Sequence, residues 1–67
     1  METKYQVNDK VRFRVKYHKH TTTSGYWESE GTIRNVGLED GKIEYDLNVD
    51  DRYSYYVLED DILHKIN

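Results

Sequence analysis

The chain has 67 residues, with ten Lys and Arg against thirteen Asp and Glu and neither Cys nor Pro. This length makes one small domain whose single core rarely supplies more than about 3–5 kcal/mol, too little to enclose a large active site. The absence of Cys excludes disulfide staples and thiolate zinc sites, no apolar run nears the roughly 20 residues of a membrane span, and the polar N-terminus lacks a secretion signal's apolar stretch, so a soluble, cytoplasmic chain is expected.

Taken in chain order, the hydrophobic pattern has period two. Residues 10–17 alternate Val11, Phe13, Val15 and Tyr17 with Lys10, Arg12, Arg14 and Lys16, the pattern of a half-buried strand. Residues 18–25 have no apolar side chain and read as a long loop. Residues 26–36 read as a second strand anchored by Trp27, Ile33 and Val36, with Gly31 inside it as a bulge or sharp bend. Asp40-Gly41 is a tight-turn dipeptide that joins this strand to a third over residues 42–49, where Ile43, Tyr45, Leu47 and Val49 face inward. A turn at Asp50-Asp51-Arg52 leads to a Tyr-rich fourth strand, residues 53–58. The acids Glu59, Asp60 and Asp61 then form a single helical turn before a last short strand ending near Ile66. The chain has no Ala, and β-branched and aromatic residues fill these segments, as in a β protein.

Five short strands that must cover their own apolar face imply a curled sheet. At this level the chain resembles the SH3-like small barrels, especially their Tudor and KOW branches. The resemblance lies in Val7-Asn8-Asp9-Lys10-Val11 leading into the first strand, Trp27 and Gly31-Thr32-Ile33 in the second, Tyr45-Asp46-Leu47 in the third, and Val57-Leu58-Glu59-Asp60-Asp61-Ile62 at the end. Asn8 stands where these relatives usually carry Gly, and Asn tolerates the left-handed backbone such a turn needs. The resemblance implies an all-β, five-stranded SH3-like barrel over residues 1–67 with a non-enzymatic, adaptor-like binding role. Fold alone does not fix what is bound.

The surface offers two candidate interfaces. The first is aromatic: in Tudor-like relatives such side chains cage a cation, and Tyr26, Trp27, Tyr53, Tyr55 and Tyr56 are its candidates here, with Asp50 and Asp51 complementing positive charge and residues 18–25 adding specificity. Tyr17 and Tyr45, in phase with the core residues, are expected inside. This points to a protein or peptide partner. The second is a basic stripe of Lys10, Arg12, Arg14, Lys16 and Lys19, which could follow the phosphates of RNA or DNA while Tyr26 stacks on a base. Cross-strand pairing of these cations with Glu30, Glu44 or Asp46 is the structural alternative.

Charge divides between the halves: residues 1–35 hold seven cations against four acids, net +3, and residues 36–67 hold three against nine, net −6. A third reading is that the acidic half, with its Asp, Glu and Tyr composition, imitates nucleic acid to block a DNA-binding enzyme. No cofactor, metal or catalytic group is expected. His18-x-His20 has no third ligand at a recognisable spacing, Ser24, Ser29 and Ser54 have no base placed beside them, and the four glycines form no phosphate cradle. Membrane contact is not expected. The oligomeric state is either a monomer or a dimer paired through an exposed edge strand.

Overall fold

A computed structural model describes residues 2–16 and 25–67. Five strands form one antiparallel sheet: β1 (Lys10–Lys16), β2 (Tyr26–Glu39), β3 (Lys42–Val49), β4 (Tyr53–Leu58) and β5 (Ile62–Lys65). Their spatial order is β4-β3-β2-β1-β5, so β4 and β5 are the sheet edges. A 3₁₀ turn over Glu59–Asp61 links the last two strands, as the acidic triplet suggested. Among the described residues no helix is long and apolar enough to cross a membrane.

Alternation sorts the side chains onto two faces. Val11, Phe13, Ile33, Tyr45 and Leu47 are fully buried on the inner face, and Val49, Val57 and Ile62 nearly so. Each such side chain contributes about 1.5–3 kcal/mol relative to exposure. No polar or charged residue is buried among the described residues, so this core is held by apolar contact and by the strand ladders. Tyr45 lies inside as expected. Tyr17 lies outside the described residues.

Two positions differ from the sequence reading. β2 does not stop at Val36 but runs to Glu39, because the turn beyond it is only two residues long: Glu39 pairs with Lys42, and Asp40 (φ 51) and Gly41 (φ 77) are both left-handed. Two consecutive positive φ values match the right-handed twist of a tight hairpin. The bulge is not at Gly31 either. Gly31 pairs regularly with Val11, and the register breaks three residues later, between Ile33 and Asn35, leaving Arg34 as the extra residue. Gly31 is required for another reason, since a Cβ there would lie 2.9 Å from the Asn48 carbonyl oxygen, 3.2 Å from Val49 Cγ2 and 3.3 Å from Phe13 Cε1. It lets β2 pass close against β3 and the core.

The start of β1 is tied down on both sides. Asn8 is left-handed (φ 80), as its place before the first strand suggested. Its N–H donates to the Ile33 carbonyl at 2.8 Å, while the Ile33 N–H donates to the Asp9 carbonyl at 2.9 Å. Asp9 closes the same turn, its N–H donating to the Gln6 carbonyl and its carboxylate accepting from the Gln6 N–H. On the β5 side of the same strand start, the Ile66 N–H donates to the Lys10 carbonyl at 2.7 Å, extending the β1–β5 pairing beyond Val11 and Lys65; that pairing has its own irregularity between Arg12 and Phe13.

Candidate functional site

Trp27 opposes Val15, and Tyr55 opposes Leu47, so both rings stand on the inner face. They meet across it. Their centroids are 5.3 Å apart at 74°, edge to face, and Phe13 lies 5.8 Å from Tyr55 on the core side. β2 and β4 are not neighbours in the sheet, so this contact spans the concavity, and such pairs add about 0.5–1.5 kcal/mol beyond area burial. Trp27 and Tyr55 are half-buried, whereas Tyr53, two residues earlier on the same face, is 56% exposed.

The turn leading into Tyr53 is formed by Asp50 (φ 55) and Asp51 (φ 56), closed by an Arg52 N–H to Val49 carbonyl bond of 3.1 Å. Asp51 accepts from Asn48 Nδ2 at 3.0 Å, so its carboxylate braces the turn, and Asp50 and Asp51 are both exposed. The five expected aromatics therefore separate. Trp27, Tyr53 and Tyr55 share the concave face, while Tyr26 and Tyr56 stand on the outer face, in different rows, one opposite Lys16 and the other opposite Asp46. Tyr26 is 49% exposed, with the Arg14 guanidinium 4.5 Å above its ring. Tyr56, 66% exposed, stands opposite Asp46.

The basic stripe projects from the outer face, but the fold brings acids to it. Arg12 Nε donates to Glu28 at 2.7 Å and its Nη1 to Glu30 at 3.2 Å, and Arg14 Nε donates to Asp61 at 3.0 Å. These carboxylates hold both guanidinium groups more firmly protonated than usual. Lys10 and Lys16 are exposed, and Lys19 lies outside the described residues. Glu30 is thus a cross-strand partner as one alternative held, while Glu44 and Asp46 are not. Among the described residues no three His, Asp or Glu side chains converge as a metal set, and His18 and His20 lie outside those residues.

One arrangement carried no sequence signal. Tyr5 packs edge to face on Tyr45, with centroids 5.9 Å apart, and its N–H donates to the Tyr45 hydroxyl at 3.3 Å. That hydroxyl donates to Glu59 Oε2 at 2.6 Å, and the same oxygen accepts from the Lys4 N–H at 3.2 Å. Burial, and then the bond to Glu59, push the Tyr45 hydroxyl up to about 12, and the bond from Tyr45 holds the Glu59 carboxyl below its usual range. This network fastens the N-terminal segment to the 3₁₀ turn and is structural. No protein-family model, characterised protein or solved structure matches the chain.

Proposed function

We propose that the chain is a non-catalytic binding module of the SH3-like barrel type, which docks on a protein or peptide segment through the aromatic side of its concave face. The carrying observation is the edge-to-face contact of Trp27 and Tyr55 at 5.3 Å, with both rings only half-buried and Tyr53 exposed beside them. Rings already packed against one another lose little freedom on binding, which is why aromatic anchors dominate interface energetics. Asp50, exposed in the turn before Tyr53, favours a partner segment carrying positive charge. The SH3-like reading is supported by the strand order, by the 3₁₀ turn between β4 and β5, and by the cross-sheet contact of Trp27 with Tyr55. Nucleic-acid binding through Lys10, Arg12, Arg14 and Lys16 ranks second, because Glu28, Glu30 and Asp61 already engage the two arginines.

An amide NMR titration separates the two. The labelled chain is titrated with a panel of short basic-aliphatic peptides, and separately with mixed DNA and RNA oligonucleotides at low and physiological salt. Saturable peptide shifts at the Trp27 indole N–H, Tyr53 and Tyr55 support the proposal. Salt-sensitive oligonucleotide shifts along Lys10–Lys16, with no peptide response, would replace it.

A further inference from the structure

The sheet ends in two strands with one free side each, β4 and β5, and the two are built differently. β5 is four residues long, carries His64 and Lys65, both exposed, and breaks register against β1 between Arg12 and Phe13. Short length, charge and irregularity are the devices that keep a sheet edge from pairing with another chain. β4 has none of them. Tyr53–Leu58 is six residues of Tyr, Ser, Val and Leu, without charge, in unbroken register with β3.

The ladder fixes which backbone groups of β4 face outward. The two-residue turn makes Glu39 and Lys42 a hydrogen-bonded pair, and alternation along β3 then turns Tyr45, Leu47 and Val49 toward β4. Their partners Val57, Tyr55 and Tyr53 direct N–H and C=O groups to β3. Ser54 and Tyr56, and the Leu58 N–H, therefore point away from the sheet, where no strand among the described residues pairs with them.

An antiparallel second copy of β4 fits this edge. Across a two-fold axis only residues of one face can oppose each other, so the register must centre on a single residue. Centring on Tyr55 sets Asp51 of one copy against Glu59 of the other, which is repulsive. Centring on Tyr56 removes that clash and engages all three outward-turned residues, with Ser54 opposite Leu58 and Tyr55 opposite Val57 of the second copy. It also brings Arg52 of each copy to the end where the other presents Asp60. Both side chains are exposed, and neither has an ion pair among the described residues. We infer that β4 is a self-pairing edge that joins two copies of this chain into one continuous antiparallel sheet, with Tyr56 at the two-fold axis and Arg52 of each copy beside Asp60 of the other. The assembly closes at two, because each copy uses its β4 edge and leaves the short, charged β5 outermost. The inference goes beyond the peptide-docking reading and does not rest on it.

The test follows the full chain by sedimentation equilibrium up to about 1 mM, with amide hydrogen exchange measured at low and high concentration. The mass should rise from 8.1 kDa to twice that value. The Ser54 and Tyr56 amides should gain at least about tenfold protection at high concentration only, while Tyr55 and Val57, already bonded to β3, change little. Tyr56→Lys sets like charges across the axis and should raise the dimer Kd at least about tenfold. Arg52→Glu should raise it about threefold or more, and adding Asp60→Arg should restore it by re-forming the pair with reversed signs. All three positions are exposed, so the variants should keep the wild-type Tm at low concentration. A chain monomeric throughout, a dimer whose Ser54 and Tyr56 amides gain no protection, a folded Tyr56→Lys chain that dimerises as tightly as wild type, or a double variant no tighter than Arg52→Glu would overturn the inference. The Trp27 indole signal reports separately on peptide docking, so failure of either reading is distinguishable from failure of the other.

Discussion

Replacing Gly31 with Ala adds one methyl group at a place where β2 passes close against β3. The new Cβ would lie 2.9 Å from the Asn48 carbonyl oxygen, a backbone atom fixed by the Thr32–Asn48 pairing, and 3.2–3.3 Å from Val49 Cγ2 and Phe13 Cε1. None of these neighbours is the free end of a flexible side chain. Forcing volume into a packed core costs about 1–3 kcal/mol, out of roughly 3–5 kcal/mol available to a domain of this size. For a chain this short that corresponds to a fall of roughly 5–25 °C in Tm. The assay is thermal unfolding by circular dichroism, with Gly37→Ala as the matched control, since a Cβ at Gly37 meets nothing within 4 Å. Gly37→Ala should shift Tm by no more than a few degrees, roughly the scale of a 0.5 kcal/mol surface change. A Gly31→Ala variant that melts with wild type, or with Gly37→Ala, would refute the argument from close approach.

Tyr45→Phe should cost about 1–2 kcal/mol at neutral pH, by removing the bonds from Tyr5 and to Glu59. It should also change the pH dependence, measured by urea unfolding from acid to alkaline pH. The folded Tyr45 hydroxyl titrates at about 12, against about 10 for an unfolded Tyr, so its contribution is complete below the lower value and is lost as pH rises toward the higher. Glu59, held below its usual range, contributes above the ordinary carboxylate range and loses that contribution as pH falls through its lowered pKa. Tyr45→Phe should flatten both limbs, and identical slopes would contradict the network. At Asn8 (φ 80), Asn8→Val should destabilise by roughly 1–2 kcal/mol and Asn8→Gly by far less. Equal Tm values for the two variants would remove backbone conformation as the reason for Asn8.

What the sequence discloses here is periodic or local. Lys10–Lys16 and Lys42–Val49 alternate without interruption, so their inward sets could be read directly, and Asp40-Gly41 and Asn8 carry their turn chemistry in their own identities. The missed features depend on partners distant in the chain. The need for Gly31 is set by Asn48 and Val49 on another strand, and the bulge at Arg34 has no glycine to mark it. Tyr5 lies outside any strand, so nothing local links it to Tyr45 and Glu59. For the candidate surfaces, composition identified the aromatics and cations but not their grouping. Trp27 and Tyr55 meet because the sheet curves, Tyr26 and Tyr56 diverge because alternation sends them outward, and Arg12 is engaged because Glu28 and Glu30 lie across the ladder from it.

The most direct test of the binding-module proposal is Tyr53→Ala, measured for both stability and affinity toward whichever basic peptide of the panel binds the chain most tightly. Tyr53 is 56% exposed, so its loss should leave Tm within a few degrees of wild type, yet as an interface anchor it should cost about 2 kcal/mol, roughly a 30-fold rise in Kd. An unchanged Kd in a folded Tyr53→Ala chain would contradict the assignment of the concave aromatic face as the docking surface.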